Sequence, residues 1–201
     1  MKIVVICEGA TEAALRSVLG EFLTSRSGGK QRTGVKLLNL KGKLLREKLG
    51  TLVDLQVAAP DVAGVIALTD VYPAFKNAKV AKAELTKRAG GNHDGKFRAH
   101  AAQFELEAWL LPHWDDIAKK LGVNAKAPGA NPEQVNGQKP PSHHLDDLFR
   151  RAKGNKDRYE KGTDAARWLT QERLERSAKD CPELRAFLNS LLEFAGAAAL
   201  N

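Results

Sequence analysis

The first half of the chain alternates apolar, strand-like runs with helix-like patterns. Four runs indicate strands, at 2–7, 35–40, 62–69 and 96–102. An apolar run without polar alternation is typical of a strand that is covered on both faces. Strands that alternate with helices form a parallel sheet with right-handed crossovers. The sequence therefore predicts an α/β core with a parallel central sheet and helices on both faces.

The segments between these runs predict helices. Residues 15–23 place leucine, valine and phenylalanine at helical spacing, and Thr11 is a candidate cap for that helix. The spacing also predicts helices over 44–57 and 74–89, the second of them basic. A further helix begins at Glu105, and we expect the proline after Leu111 to end it.

The second half has a different pattern, which divides the chain into three predicted parts. Residues 1–121 form the α/β core. Residues 122–141 are rich in Gly, Pro, Asn and Lys, which predicts a loop or linker. Residues 142–201 form a helical C-terminal extension, with helices expected around 145–149, over 163–177 and over 181–192.

Composition and motifs exclude several classes of protein. No apolar run approaches the roughly 20 residues that span a bilayer, and the apolar start is too short for a signal peptide, so we expect a cytoplasmic protein without membrane attachment. Two cysteines, Cys7 and Cys181, cannot form a disulfide framework or a cysteine-rich zinc site. The sequence lacks a P-loop, so we do not expect the chain to hydrolyse ATP itself.

Positive charge is concentrated in the first half of the chain. Residues 1–100 contain 17 Lys and Arg against 9 Asp and Glu, whereas the remainder contains 15 of each, giving the net charge of +8. A segregated positive field favours a polyanion such as DNA or RNA, and the alternative is a solvated face that keeps the protein soluble. The candidate contacts to nucleic acid are Arg26, Lys30, Arg32, Lys43, Lys76, Lys79, Lys82 and the aromatic Tyr72.

Carboxylates follow the predicted strands at their carboxyl ends, where ligands bind in parallel α/β sheets. Glu8 follows the first strand, Asp70 follows the third, and Glu105 and Glu107 follow the fourth. Converging carboxylates repel one another unless a cation lies between them, and Mg²⁺ prefers such oxygen ligands. We therefore predict catalytic roles for all four and a Mg²⁺ or Mn²⁺ site at Glu8, Asp70 and Glu107. The alternative for Glu8 and Asp70 is a favourable position beside a helix N-terminus.

Residues two apart on a helix do not share a face. We therefore expect only one of Glu105 and Glu107 to point toward the site. Glu107 is favoured by its place in the segment Glu105–Leu111, which is one of several short motifs that resemble a known family.

Several short motifs resemble a known group of proteins. The opening Ile3–Glu12, which contains E-G-x-T-E, resembles that of Toprim-fold proteins, and more closely that of a prokaryotic Toprim-like family related to overcoming-lysogenisation-defect nuclease domains. Other matching segments are Asp70-Val71-Tyr72, Glu105–Leu111, Lys139–Ser142, Tyr159-Glu160-Lys161 and Cys181-Pro182.

The resemblance implies a Toprim-like Rossmannoid core and a metal-dependent nuclease or phosphoryl-transfer activity on nucleic acid, often associated with phage defence beside a partner ATPase. Active Toprim enzymes usually carry Asp-x-Asp after the third strand, whereas this chain has Tyr72 at the second acidic position. That departure supports an alternative, a non-enzymatic effector that binds nucleic acid or an ATPase through a degraded metal site. A small phosphorylated ligand at the helix start near Gly9–Thr11 is a third hypothesis, and a homo-oligomer is compatible with the sequence.

The histidines show no metal-binding spacing. His113, His143 and His144 lie far from either cysteine and form neither an HExxH motif nor a zinc-finger pattern. We interpret them as surface residues.

Overall fold

A computed structural model describes residues 1–9, 14–27, 33–40, 44–135, 139–152, 154 and 158–200, with the backbone alone for 44–47. The strands are β1 (Lys2–Cys7), β2 (Gly34–Asn39), β3 (Val62–Asp70) and β4 (Phe97–Ala102). They pair in parallel in the order β2-β1-β3-β4. The predicted α/β fold and parallel sheet are confirmed.

Helices and two 3₁₀ segments connect and follow the strands. The α-helices are α1 (Leu15–Arg26), α2 (Leu44–Val57), α3 (Ala78–Ala89), α4 (Trp114–Lys120), α5 (Pro141–Ala152), α6 (Thr163–Trp168), α7 (Gln171–Asp180) and α8 (Pro182–Phe194). The 3₁₀ segments span Leu106–His113 and Pro132–Gln134. No described helix is both long enough and apolar enough to cross a membrane.

Each face of the sheet has its own hydrophobic cluster. Val4 and Ile6 of β1 point to the face that α2 and α3 cover. Ile3, Val5 and Cys7 point to the opposite face, which α1 and the C-terminal helices cover. The continuous apolar run of β1 thus reflects a strand that is buried on both sides.

The C-terminal helices belong to the larger of these clusters. Phe187, Leu188 and Leu191 of α8 are fully buried with β1 residues in one continuous core. Helix α8 also contacts β4, and α7 contacts the Leu106–His113 segment. The segment after residue 141 therefore completes one face of the sheet.

Two predicted helices differ from the structure. The segment after Glu105 is a 3₁₀ helix that continues through Pro112 to His113 instead of ending at Leu111. Proline lacks the N–H that would bond to the Trp109 carbonyl in a 3₁₀ helix, and the Ser177 hydroxyl donates to that carbonyl at 2.7 Å instead. Tertiary contact thus replaces the missing local bond.

The helix predicted over 163–177 is two helices. Helix α6 ends at Trp168, and α7 begins at Gln171 after Thr170, whose hydroxyl oxygen accepts a hydrogen bond from the Arg173 backbone N–H. This cap starts a separate helix. The basic helix α3 likewise begins only at Ala78, because the Asn77 side chain caps it through the Val80 N–H.

Candidate functional site

The sheet brings the first and third strand ends to one edge. β1 and β3 are direct neighbours, with Cys7 opposite Leu68. Glu8 follows Cys7 directly, and Asp70 is the last residue of β3. Both carboxylates therefore leave the same carboxyl edge of the sheet from adjacent strands.

The turn after β1 is held by β2. The Asn39 side-chain amide donates to the Gly9 carbonyl at 2.6 Å, and the Leu40 N–H donates to the Cys7 carbonyl at 2.8 Å. These bonds fix the backbone on both sides of Glu8, which is half-buried. The predicted cap Thr11 and the third hypothesis, an anion at the following helix start, lie outside the described residues.

Asp70 connects the end of β3 to the segment that follows β4. One of its carboxylate oxygens accepts a hydrogen bond from the Leu106 N–H at 2.9 Å. The Tyr72 N–H donates to the Phe104 carbonyl at 2.7 Å, and Phe104 has a positive φ of 67°. These bonds place the start of the segment that carries Glu105 and Glu107 next to Asp70.

Lys161 contacts both of these glutamates. Its Nζ lies 2.9 Å from Glu105 Oε1 and 3.7 Å from Glu107 Oε2. Burial opposes the charged form of Lys161, but Glu107, Glu105 and Asp70 outweigh this and raise the pKa of the ammonium. We call Asp70, Glu105, Glu107 and Lys161 the edge cluster.

The expectation that only one of the two glutamates points to this place is wrong. Glu105 precedes the 3₁₀ helix in an extended conformation (φ −141°, ψ 157°), so helical spacing does not govern the pair. Glu107 lies inside the helix and is fully buried, and Glu105 is 6% exposed. Both carboxylates can therefore reach the same ammonium group.

Glu105 is further held by α5. Its second carboxylate oxygen accepts a hydrogen bond from the Ser142 N–H at 2.9 Å. Burial alone would raise the pKa of Glu105, but the Lys161 and Ser142 hydrogen bonds outweigh it and hold the pKa below its usual value. Glu105 is therefore a carboxylate at neutral pH, and the Lys161 ammonium and the Ser142 N–H fix its position.

The described carboxylates do not form a ready three-ligand metal site. Among the residues that the structure describes, no group of three or more His, Cys, Asp or Glu side chains could hold one metal ion. Glu107 instead lies within 4 Å of the Lys161 ammonium. Glu8 and Asp70 remain at the edge as hard oxygen donors, and Mg²⁺ commonly binds through one or two carboxylates plus substrate phosphate. Their oxygens are donors of the type that Mg²⁺ takes, and a metal site at this pair stays a prediction.

Lys161 was not predicted from the sequence as a residue of the candidate site. The available signal was the Tyr159-Glu160-Lys161 segment of the resemblance. Tyr159 is buried, and burial together with the nearby Glu107, Asp164 and Glu105 carboxylates raises the pKa of its phenol above the usual range. This segment therefore brings a neutral phenol and a cation to the acidic edge.

The family model for a domain of unknown function (DUF4276) matches residues 7–192 of the chain. The chain belongs to this family. The match includes Glu8 and all four residues of the edge cluster. No curated protein and no solved structure matched the chain. The Toprim resemblance stays a prediction.

The predicted basic surface of the DUF4276 protein is partly committed to internal ion pairs. Arg26 lies 2.5 Å from a Glu175 oxygen, and Lys82 lies 2.7 Å from Glu183. Both acids come from C-terminal helices, so these cations attach α1 and α3 to α7 and α8.

The remaining predicted contacts fall into two groups. Lys76, Lys79 and Tyr72 are exposed near the carboxyl edge, with Tyr72 at 46% exposure. Lys30, Arg32 and Lys43 lie outside the described residues.

The interpretation of all three histidines as surface residues is wrong for His113. This residue is 2% exposed, and its Nε2 lies 2.9 Å from the Ser177 hydroxyl and 3.0 Å from the Arg173 carbonyl. Burial, the largest influence, lowers its pKa. His143 is exposed and His144 is half-buried.

Proposed function

We propose that this DUF4276 protein is a Mg²⁺-dependent nuclease or phosphoryl-transfer enzyme that acts on nucleic acid. The observation that supports this best is the convergence of strand-end carboxylates and Lys161 at one edge of the sheet. Exposed Lys76 and Lys79 lie beside that edge and suit a phosphate backbone. Mn²⁺ is an alternative metal.

The edge residues take separate roles in this proposal. Glu8 and Asp70 hold the metal, and Glu8 also accepts or donates a proton beside it. Bound Mg²⁺ supplies a Lewis acid that stabilises charge on the phosphodiester and favours deprotonation of water. Lys161 donates to a phosphate oxygen as negative charge builds there. Glu105 and Glu107 position the Lys161 ammonium and keep it protonated.

Labelled single- and double-stranded DNA and RNA, incubated with purified protein and Mg²⁺ or Mn²⁺, test the activity. We expect cleavage that EDTA abolishes and that Glu8→Gln or Asp70→Asn reduces by about 100-fold or more, as for loss of an acid–base or electrostatic group. Glu21→Gln is the matched control, because Glu21 is an exposed acid of α1. Cleavage that persists undiminished in both edge variants would remove the site assignment.

A second candidate function is a non-enzymatic effector that binds nucleic acid or a partner ATPase. The Lys161 ammonium between Glu105 and Glu107 favours it, because a side-chain cation already neutralises these carboxylates. Tyr72, where Toprim enzymes usually carry an acid, favours it as well.

Parallel binding and cleavage assays with Mg²⁺ or Mn²⁺ present separate the two candidates, because both would bind without cleavage when metal is absent. An effector would bind oligonucleotides with an affinity that falls steeply as salt rises, without any cleavage. Phage defence beside an ATPase stays a prediction from the resemblance. Co-purification of an ATPase with the tagged chain from its native host tests it.

A further inference from the structure

A cleft separate from the edge cluster lies between the end of α4, α5 and the break between α6 and α7. Its volume is about 790 Å³, which is within the range of small-molecule sites. The cleft is lined by two aromatic residues, Phe149 and Trp168, and by cations from three helices. None of its lining residues belongs to the edge cluster.

An aromatic residue and a planar cation form a stacked pair in this cleft. The Arg173 guanidinium lies over the Trp168 ring, 4.9 Å from the ring centroid. Both residues are half-buried. The Arg173 backbone carbonyl is also within 3.0 Å of His113 Nε2, which anchors the base of this side chain. Nucleobases stack on aromatic rings and on guanidinium planes.

Apart from Arg173, the cleft is lined by three basic and two acidic side chains. Lys119 and Lys120 close α4 and are exposed, and Arg167 lies in the last turn of α6.

Each of the two acids has a cationic neighbour. Asp164 lies 3.4 Å from Arg167, and Asp116 lies 3.8 Å from Arg176. Within the described part of the chain, neither Lys119 nor Lys120 forms an ion pair, so an anion at the mouth of the cleft would meet both ammonium groups.

We propose that this cleft binds a nucleotide, with the base stacked on the Trp168–Arg173 pair and the phosphate contacting Lys119 and Lys120. The shared chemistry is a planar base carrying a phosphate. It is present in a free mononucleotide and in the phosphorylated end of a nucleic-acid strand. The inference does not depend on the proposed nuclease activity, because it uses no residue of the edge.

Fluorescence anisotropy of a dye-labelled adenosine monophosphate, titrated with the full chain, tests the proposal. We expect saturable binding that Trp168→Leu weakens at least about fivefold, the scale of one lost base–aromatic stack. The double substitution Lys119→Gln/Lys120→Gln should weaken it as well and lies on an exposed helix end. Lys87→Gln removes an exposed lysine of α3 and should change nothing.

Competition experiments with unlabelled compounds show which part of the nucleotide is recognised, and whether the natural ligand is a free nucleotide or a strand end. Unlabelled adenosine monophosphate should displace the probe more effectively than adenosine or inorganic phosphate alone. Displacement by a 5′-phosphorylated oligonucleotide at a much lower concentration than by free adenosine monophosphate would assign the site to a strand end, and the reverse order would assign it to a free nucleotide.

The proposal fails if no saturable binding occurs, if phosphate alone competes equally well, or if the double lysine variant binds like the parent. The lysine variant decides the question if Trp168→Leu does not fold. Retained nucleotide binding in Glu8→Gln would show that this site is independent of the edge.

Discussion

Acid should destabilise this protein through one buried histidine. His100 of β4 is 7% exposed, and its ring packs edge-on against Phe187 with centroids 5.7 Å apart. Burial, then the charges of Lys82 and Arg98, lower the pKa of His100 from 6.5 to about 4. Its Nε2 lies 2.9 Å from the Ser190 hydroxyl, so the neutral ring is held between the sheet and α8.

The sign and size of the effect follow from this pKa. Above pH 6.5, the ring is neutral in both the folded and the unfolded chain. Below that value, the unfolded chain takes up a proton that the folded chain does not, so stability falls until about pH 4. The full pKa difference corresponds to about 3 kcal/mol of unfolding free energy. By pH 5, about 2 kcal/mol of it should be lost.

Urea unfolding at a series of pH values measures this loss. The parent protein should lose about 2 kcal/mol more stability between pH 7.5 and 5 than His100→Gln does, because glutamine does not titrate. His143→Gln, which removes an exposed histidine of α5, is the matched control. Equal pH slopes in the parent and His100→Gln would refute the reasoning. His100→Asn repeats the comparison if the glutamine variant is too unstable to measure.

Three further predictions concern the edge, a helix start and a close contact. Lys161→Met removes the cation from the edge cluster and should lower the melting temperature measured in EDTA by about 2–8 °C. Adding Mn²⁺ should restore part of this loss. An unchanged melting temperature in EDTA would contradict the role of this lysine. Glu133 accepts hydrogen bonds from two N–H groups at the start of α8, so Glu133→Ala should cost about 1–3 kcal/mol in urea unfolding, with Glu133→Gln as the milder control. Gly64→Ala would place a methyl group against the Phe194 ring and should cost about 1–3 kcal/mol. Gly20→Ala in α1, which meets open space, should stabilise by about 0.5–1 kcal/mol, and equal effects of the two would refute this contact.

Local pattern predicted the centre of the sheet because the sequences of its two central strands reflect their burial directly. β1 and β3 are apolar without alternation, and helices cover both of their faces. The positions of Glu8 and Asp70 follow from the same pattern, because a carboxylate that directly follows an apolar strand lies at its carboxyl end. Neighbouring strands β1 and β3 then bring the two residues to one edge. This part of the candidate site needed only local spacing and the pairing rules of parallel sheets.

The features that the sequence did not predict depend on contacts between distant parts of the chain. Lys82 and Arg26 belong to a basic half in sequence, yet acids from α8 and α7 pair with them in the fold. The continuation of the 3₁₀ helix through Pro112 depends on a hydroxyl more than 60 residues away. Such pairings have no local periodicity, so neither charge counting nor helix signals could identify them.

The edge cluster gives the C-terminal segment a specific role. Lys161 reaches Glu105 across 56 residues of sequence, and Ser142, at the start of α5, donates to the same carboxylate. Without this segment, Glu105 would lose both donors, and burial would then disfavour its charged form. The buried face that α8 covers would also be exposed to water. A fragment limited to residues 1–121 would therefore lose part of its core together with the cation of the candidate site. We expect folding, and the proposed activity, to require the residues after 141.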